Sequence, residues 1–452
     1  MTHYGWLSLL PTVAVLIIAF WSRKTFEALL GGTLLGFLLL DGLGFFASFT
    51  TQLLQTMADP TIGWIILVCG LFGSLIHLLV RSGGASAFAS WLLRHVHNRR
   101  SALLVTWLLG LCIFIDDYLN ALTVGNSMKK VTDKFGVPRE MLAYIVDSTA
   151  APICVLVPLS TWAIYVGGLL ESEGVAAAGQ GLTAYLKAIP YIIYGWVAAL
   201  IVPLVALRII PPLGAMKAAE ARANSGQLIP PDSTAITLHL PETTTEQPYT
   251  FYFVLPILVL ITATVWFEID ALKGVLTALA FTIVYYRVSR IMNLSQAMDS
   301  VFEGFKTMLY ALAIIILSFM LKAVNEQLDL TTYIIEGVSP WMSRAFLPAI
   351  TFLALALVTF ATGSFWGVYA ITLPIIIPLA QSLEVNLWLA VGAVLSAGAF
   401  GSHACFYGDA TVLSSSATGC NNMAHVLTQL PYVLMAGAIA IVGYLILGYM
   451  AI

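Results

Sequence analysis

A dozen apolar runs fill this chain, and in each half two of them are interrupted by polar residues. They lie near 5–21, 25–45, 62–80, 101–128, 141–170 and 188–209, then near 250–267, 270–287, 300–322, 346–382, 386–420 and 428–451. A helical crossing takes about 20 mostly apolar residues, and in hydrocarbon only helices and closed barrels satisfy their own backbone. The expected fold is therefore an all-α polytopic membrane protein with on the order of ten to twelve crossings. Of its 452 residues 60% are apolar and 10% charged, against about 45–50% and about 25% in a soluble domain. That balance excludes a soluble enzyme, a disordered chain and a nucleic-acid binder. The net charge of −3 exerts no bulk pull on a charged partner, so any charge that matters is local.

The one long polar stretch, 211–248, carries Pro211-Pro212, Pro230-Pro231 and Thr243-Thr244-Thr245 and reads as a linker. It divides the chain into halves 1–210 and 249–452, and the fourth and fifth apolar elements of each are too long or too polar for plain spans. This correspondence predicts an internal repeat. Around those elements the first half carries Arg94, Arg99, Arg100, Lys129, Lys130, Lys134 and Arg139 against Asp133 and Glu140, a cytoplasmic signature. The second half carries Lys322 and Arg344 against Glu326, Asp329, Glu336 and Glu384, an external one. Opposite sidedness predicts two inverted-topology repeats, re-entrant hairpins at 101–128 and 346–382, a cytoplasmic linker and external termini. The five cysteines lack metal-ligand spacing and are expected to pack without disulfide or zinc. The first span shows no cleavage pattern and is expected to be retained.

Polar residues inside the long elements are the candidate site. Asp116-Asp117-Tyr118-Leu119-Asn120 interrupts one apolar run, and each carboxylate at bilayer depth costs roughly 2.5–3.5 kcal/mol. It reads either as a cation or proton site at a hairpin tip or as a solvated loop at the far surface. Asp147-Ser148-Thr149-Ala150-Ala151-Pro152 and Val157-Pro158-Leu159-Ser160-Thr161-Trp162 break the next element and free backbone carbonyls, hard oxygens that suit a small cation; a bare proline kink is the alternative. The second half answers with Thr362-Gly363-Ser364-Phe365-Trp366-Gly367, and with Gly401 to Thr411, where His403 and Asp409 share one element. His403 stands between a structural and a ligand role, and Asp409 is the stronger candidate. His425, Thr428 and Gln429 are assigned no more than capping of the last span.

Enzyme chemistry is disfavoured. Phe406-Tyr407-Gly408-Asp409 lacks the first glycine of the intramembrane aspartyl protease motif, and neither a His-Glu-x-x-His nor a Gly-x-Ser-x-Gly motif occurs. A passive channel is disfavoured because paired broken elements in an inverted repeat suit alternating access.

Several motifs together resemble the NhaC-type sodium/proton antiporter family of the ion-transporter superfamily. They are Phe114-Ile115-Asp116-Asp117-Tyr118-Leu119-Asn120, Thr132-Asp133-Lys134-Phe135, Tyr144 to Pro152, Thr362 to Gly367, Asp409 to Ser415, and His425-Val426-Leu427-Thr428-Gln429-Leu430-Pro431-Tyr432. The resemblance implies a scaffold and a moving transport domain, a homodimer in the bacterial inner membrane, and sodium and protons as coupling ions with no cofactor. The oxygen-rich breaks then make a sodium site from Asp116, Asp117, Asn120, Asp147, Ser148 and Thr149, with Asp117 and Asp147 as its charged ligands, and a related site from Ser364 and Asp409. One departure matters. Where the family reads Gly-Asp-His-Cys-Ser-Pro-Ile-Ser-Asp, this chain has Gly401-Ser402-His403-Ala404-Cys405-Phe406-Tyr407-Gly408-Asp409. An acidic residue, a serine and the proline are lost and two aromatics gained. Similar members carry malate, lactate or amino acids, so coupled transport of a small organic solute stays open. Its lining would be Ser160, Thr161, Thr362, Gly363, Trp366, His403, Phe406, Tyr407 and Thr411.

Overall fold

Helices carry the regular structure of the described residues, which in this computed structural model are 4–22, 24–114, 117–158, 160–177, 179–231, 233, 249–268, 270–363 and 365–450. The chain opens with α1 (Leu10–Ser22), α2 (Thr25–Asp41), α3 (Phe45–Ala58), α4 (Pro60–Arg81) and α5 (Gly84–His95). Next come α6 (Arg99–Cys112) and α7 (Asp117–Lys134), then α8 (Arg139–Thr149) and the single turn α9 (Ala151–Cys154). The first half closes with α10 (Thr161–Ser172), α11 (Gly181–Ala188) and α12 (Ile193–Ala206), and α13 (Ala215–Asn224) follows. The second half starts with α14 (Phe251–Trp266), α15 (Ala271–Val288), α16 (Leu294–Thr307), α17 (Leu309–Gln327) and α18 (Leu330–Val338). It ends with α19 (Leu347–Thr362), α20 (Phe365–Ser382), α21 (Leu387–Ala404), α22 (Asp409–Thr418) and α23 (Asn422–Met450).

Among the described residues six helical stretches are long and apolar enough to cross a membrane, or eight if two bent pairs each count as one span. The pairs are 181–191 with 193–206, bent by 59°, and 294–307 with 312–327, bent by 41°. This is fewer than apolar length suggests, because breaks divide long runs into shorter helices, 101–128 between α6 and α7 and 346–382 between α19 and α20. The first of these helices starts on a cap, in which Asn98 Oδ1 accepts from the Ser101 amide at 2.9 Å and the Asn98 amide donates to Ser101 Oγ at 3.2 Å. Such a reciprocal cap satisfies two amides that the first helical turn leaves without partners.

Buried apolar side chains gather in two cores. One joins α1, α2, α4 and α5 to α14–α17; the other joins α9–α12 to α19–α21 and α23. Their seam runs along α6, α8, α22 and the start of α23, each of which contributes to both, with α7 on the side of the first.

The stretch read as a linker is partly structured. α13 lays Met216, Ala219, Glu220 and Ala223 against the protein. Arg222 donates to both Glu140 oxygens at 2.7 Å, and Arg99 pairs with Glu220. Burial pushes the Glu220 carboxyl above its ordinary range, while Arg99 and then Arg208 pull it back. Arg139 anchors the same region, donating to Asp133 at 2.7 Å and to the Thr418 carbonyl at 2.5 Å. Arg222→Ala strands a buried Glu140 and should destabilise the protein by about 3 kcal/mol. Arg208→Ala, which removes a half-exposed partner 3.8 Å from Glu220, should cost less than about 0.5 kcal/mol. Thermal melts of the two variants in detergent check the contrast.

Candidate functional site

Four breaks in the helices organise the buried polar residues. α6 ends at Cys112 and α7 begins at Asp117; α8 leaves the helical path at Ala150 (φ −84°, ψ −98°), just before Pro152. α19 ends on Gly363 in the left-handed region (φ 66°), and α21 ends at Ala404, with Cys405 and Gly408 extended before α22 resumes at Asp409. Asp116 and Ser364, both expected in the site, lie outside the described residues.

Asp147 is fully buried in the last turn of α8. Its Oδ2 is 3.0 Å from His425 Nε2 and accepts from Gln429 Nε2 at 2.9 Å, while Oδ1 is buried with no hydrogen-bond partner. Gln429 Nε2 also donates to the His403 carbonyl at 2.6 Å. The His403 ring lies between two hydroxyls, with Nε2 3.1 Å from Ser148 Oγ and Nδ1 2.8 Å from the Tyr194 hydroxyl. Each hydroxyl can donate or accept, so a neutral imidazole is satisfied in either tautomer.

Asp117 and Asp409 occupy a different setting: each is the first residue of a helix, α7 and α22. Asp409 Oδ2 accepts from the Tyr118 hydroxyl and Oδ1 from the Ala410 amide at 2.8 Å. The positive end of a helix dipole stabilises a carboxylate there, whereas at a C-terminus, where Asp147 sits, the dipole opposes it. Asn120 joins the two groups. Its Nδ2, with two hydrogens to share, lies within hydrogen-bond distance of three carbonyls, those of Gly110 at 2.7 Å, Ile113 at 2.8 Å and Thr149 at 2.7 Å, and its Oδ1 is buried without a partner. Thr149 Oγ1 turns back to the Ile145 carbonyl at 2.9 Å, and Thr411 Oγ1 donates to the Ser402 carbonyl at 3.0 Å.

The structure thus brings Asp117, Asn120, Asp147, Ser148, Thr149, His403, Asp409 and Thr411 into one buried region along α7, α8, α21 and α22. The remaining expected residues form two other groups. Ser160 caps α10 by accepting from the Ala163 amide at 3.2 Å and donates to the Cys154 carbonyl at 2.6 Å. Beside it, next to Thr161, the Trp162 ring stacks on Phe365 at 3.6 Å and lies 6.2 Å from Trp366. Gly363 meets the ring of Tyr407, whose hydroxyl donates to the Ala361 carbonyl at 2.7 Å, Thr362 Oγ1 turns back to the Thr359 carbonyl at 3.4 Å, and Phe406 packs between Phe360 and Tyr407.

His425 and Gln429 are not caps of α23, which begins at Asn422, but the residues that hold Asp147. Their spacing of four was the available signal, since it puts both on one helix face. Tyr118 and Tyr194 carried no comparable signal.

The Na+/H+ antiporter family model matches residues 166–449, a stretch that includes α21–α23 and stops short of α7 and α8. A protein of Haemophilus influenzae, described as uncharacterized, is 29% identical over 98% of this chain and 91% of its own length.

A Cβ on Gly363 would come within 2.6 Å of the Tyr407 ring, and the residue already has φ 66°. Gly363→Ala should therefore cost at least about 1–2 kcal/mol of stability from backbone strain alone, with the ring displaced in addition. The midpoint of thermal unfolding reads the first effect, and loss of transport reads the second.

Proposed function

The chain belongs to the Na+/H+ antiporter family, and from that premise we propose that it is a secondary active transporter exchanging sodium for protons by alternating access. The observation that carries this reading is Asp147: a buried carboxylate at the unfavourable end of a helix dipole, with one oxygen fixed by two side chains and the other unpartnered. Such a group needs either a proton or a cation. A carboxylate that must release its proton before taking sodium makes the two ions competitors for one site, which yields exchange. The wider sodium site draws on Asp116, Asp117, Asn120, Ser148 and Thr149, with a related site at Ser364 and Asp409.

The element order supports the architecture. In the half 1–210, the α6–α7 pair is followed by the broken α8–α9. In the half 249–452, the α19–α20 pair is followed by the broken α21–α22. We read these as inverted repeats with paired re-entrant hairpins, joined through a cytoplasmic 211–248 segment, and the two cores as scaffold and transport domain. The packing of Phe406 and Tyr407 favours ions over an organic solute, since the Tyr407 hydroxyl and both rings are engaged with their own protein.

In proteoliposomes with an acidic interior, a sodium pulse should drive proton efflux, and Asp147→Asn should abolish it without loss of folded protein; wild-type rates in that variant defeat the reading. The sodium concentration for half-maximal rate should rise as pH falls. For the topology, cysteines introduced at 94–100 and 129–139 should label from the cytoplasm and those at 326–344 from outside. Labelling of both sets from one side rules out the inverted repeat.

A further inference from the structure

Gln429 is fully buried on α23, and its two amide ends have different fates. Nε2 donates to Asp147 Oδ2 at 2.9 Å and to the His403 carbonyl at 2.6 Å. These acceptors fix the orientation of the amide, because turning it over would press its oxygen against a carboxylate oxygen and a carbonyl oxygen. Gln429 Oε1 is therefore the uncommitted end of the amide, buried with no hydrogen-bond partner. Asp147 is in the same condition. Its Oδ2 takes both donors, from His425 and Gln429, and its Oδ1 is buried without one.

Two acceptor-only oxygens, each sharing its carbon with one end of a single 2.9 Å hydrogen bond, are thus left bare inside the protein. Buried acceptors in that condition are strongly unfavourable unless a donor or a cation meets them. Ser402 Oγ, likewise buried and unpartnered, belongs to the residue before His403, whose carbonyl Gln429 holds. The set is all oxygen and carries one formal charge, which suits a hard monovalent cation better than a divalent or a transition metal. A cavity of ≈ 500 Å³ reaches the same turns of α23 through Ala424, Leu427 and Thr428, with Glu140 of α8 on its wall.

From this geometry we infer that Gln429 is a sodium ligand through Oε1 as well as the residue that orients Asp147, so that the transported cation is shared between α23 and α8. The assignment rests on the exchange reading for its transport consequence, but the binding it describes can be measured without transport.

The test uses the purified full-length protein and its Gln429→Met and Gln429→Glu variants. Sodium, compared with choline, should raise the unfolding temperature of the wild type, because a ligand bound only to the folded state stabilises it, and this shift should vanish in Gln429→Met. In proteoliposomes the same variant should raise the sodium concentration for half-maximal exchange by about tenfold, equivalent to about 1.4 kcal/mol of binding, with a smaller change in maximal rate. Gln429→Glu keeps an oxygen at the position of Oε1 and, because two adjacent buried carboxylates share one proton, keeps a donor toward Asp147 in place of Nε2. It should retain sodium stabilisation. A Gln429→Met protein with unchanged sodium stabilisation and half-saturation overturns the assignment. If that variant does not fold, a folded Gln429→Glu protein that sodium no longer stabilises overturns it instead. A wild type that sodium does not stabilise also overturns it. A wild type that sodium stabilises but that moves no protons defeats the exchange reading and leaves Gln429 as a ligand.

Discussion

A helix unwound inside a membrane has no water to satisfy its freed carbonyls, so each break has to be closed by side chains from another part of the protein. Three asparagines do much of this work here. Asn120 of α7 holds carbonyls at the end of α6 and of α8 with one amide nitrogen. Asn325 of α17 donates to the Ala361 carbonyl at 3.1 Å, where Tyr407 also donates at 2.7 Å. Asn422, at the start of α23, donates to the Phe406 carbonyl and, at 2.9 Å, to Thr25 of α2. Every break is therefore a place where distant segments must meet, and the polar centre of the protein follows from that requirement.

The same constraint sorts the carboxylates. Asp117 and Asp409 begin helices and face the favourable end of a dipole, and Asp409 is further held by Tyr118 and by the Ala410 amide. Asp147 ends a helix and draws its compensation from α23, through His425 and Gln429. Because α8 and α22 contribute to both apolar cores, a change in how the cores meet would alter the surroundings of these carboxylates. An exchanger needs that coupling, since the site must be open to one side at a time.

Much of this was legible in the sequence. Apolar run length announced a helical membrane protein, and small polar residues next to proline or glycine marked the breaks at Ala150, Gly363 and 405–408. Buried acidic residues pointed to Asp147 and Asp409 because a carboxylate at bilayer depth is too costly to be incidental. Less was legible in 211–248, where proline and threonine suggested a plain linker although α13 docks through Glu220 and Arg222. Each of those ion pairs joins residues far apart in the chain, which composition cannot report.

What the sequence by itself determined was the solvent, the secondary structure and the positions at which helices give way, since these depend on local hydrophobicity, dihedral preference and the cost of a lone charge. Only the tertiary structure decided which polar side chain answers which break. His425 and Gln429 lie on Asp147 rather than at the end of a span, and Tyr407 packs beneath Gly363. The first of those pairings joins opposite halves of the chain and the second joins residues more than forty positions apart, and a hydrogen bond of about 3 Å is fixed by how whole helices cross, which no local run of residues specifies.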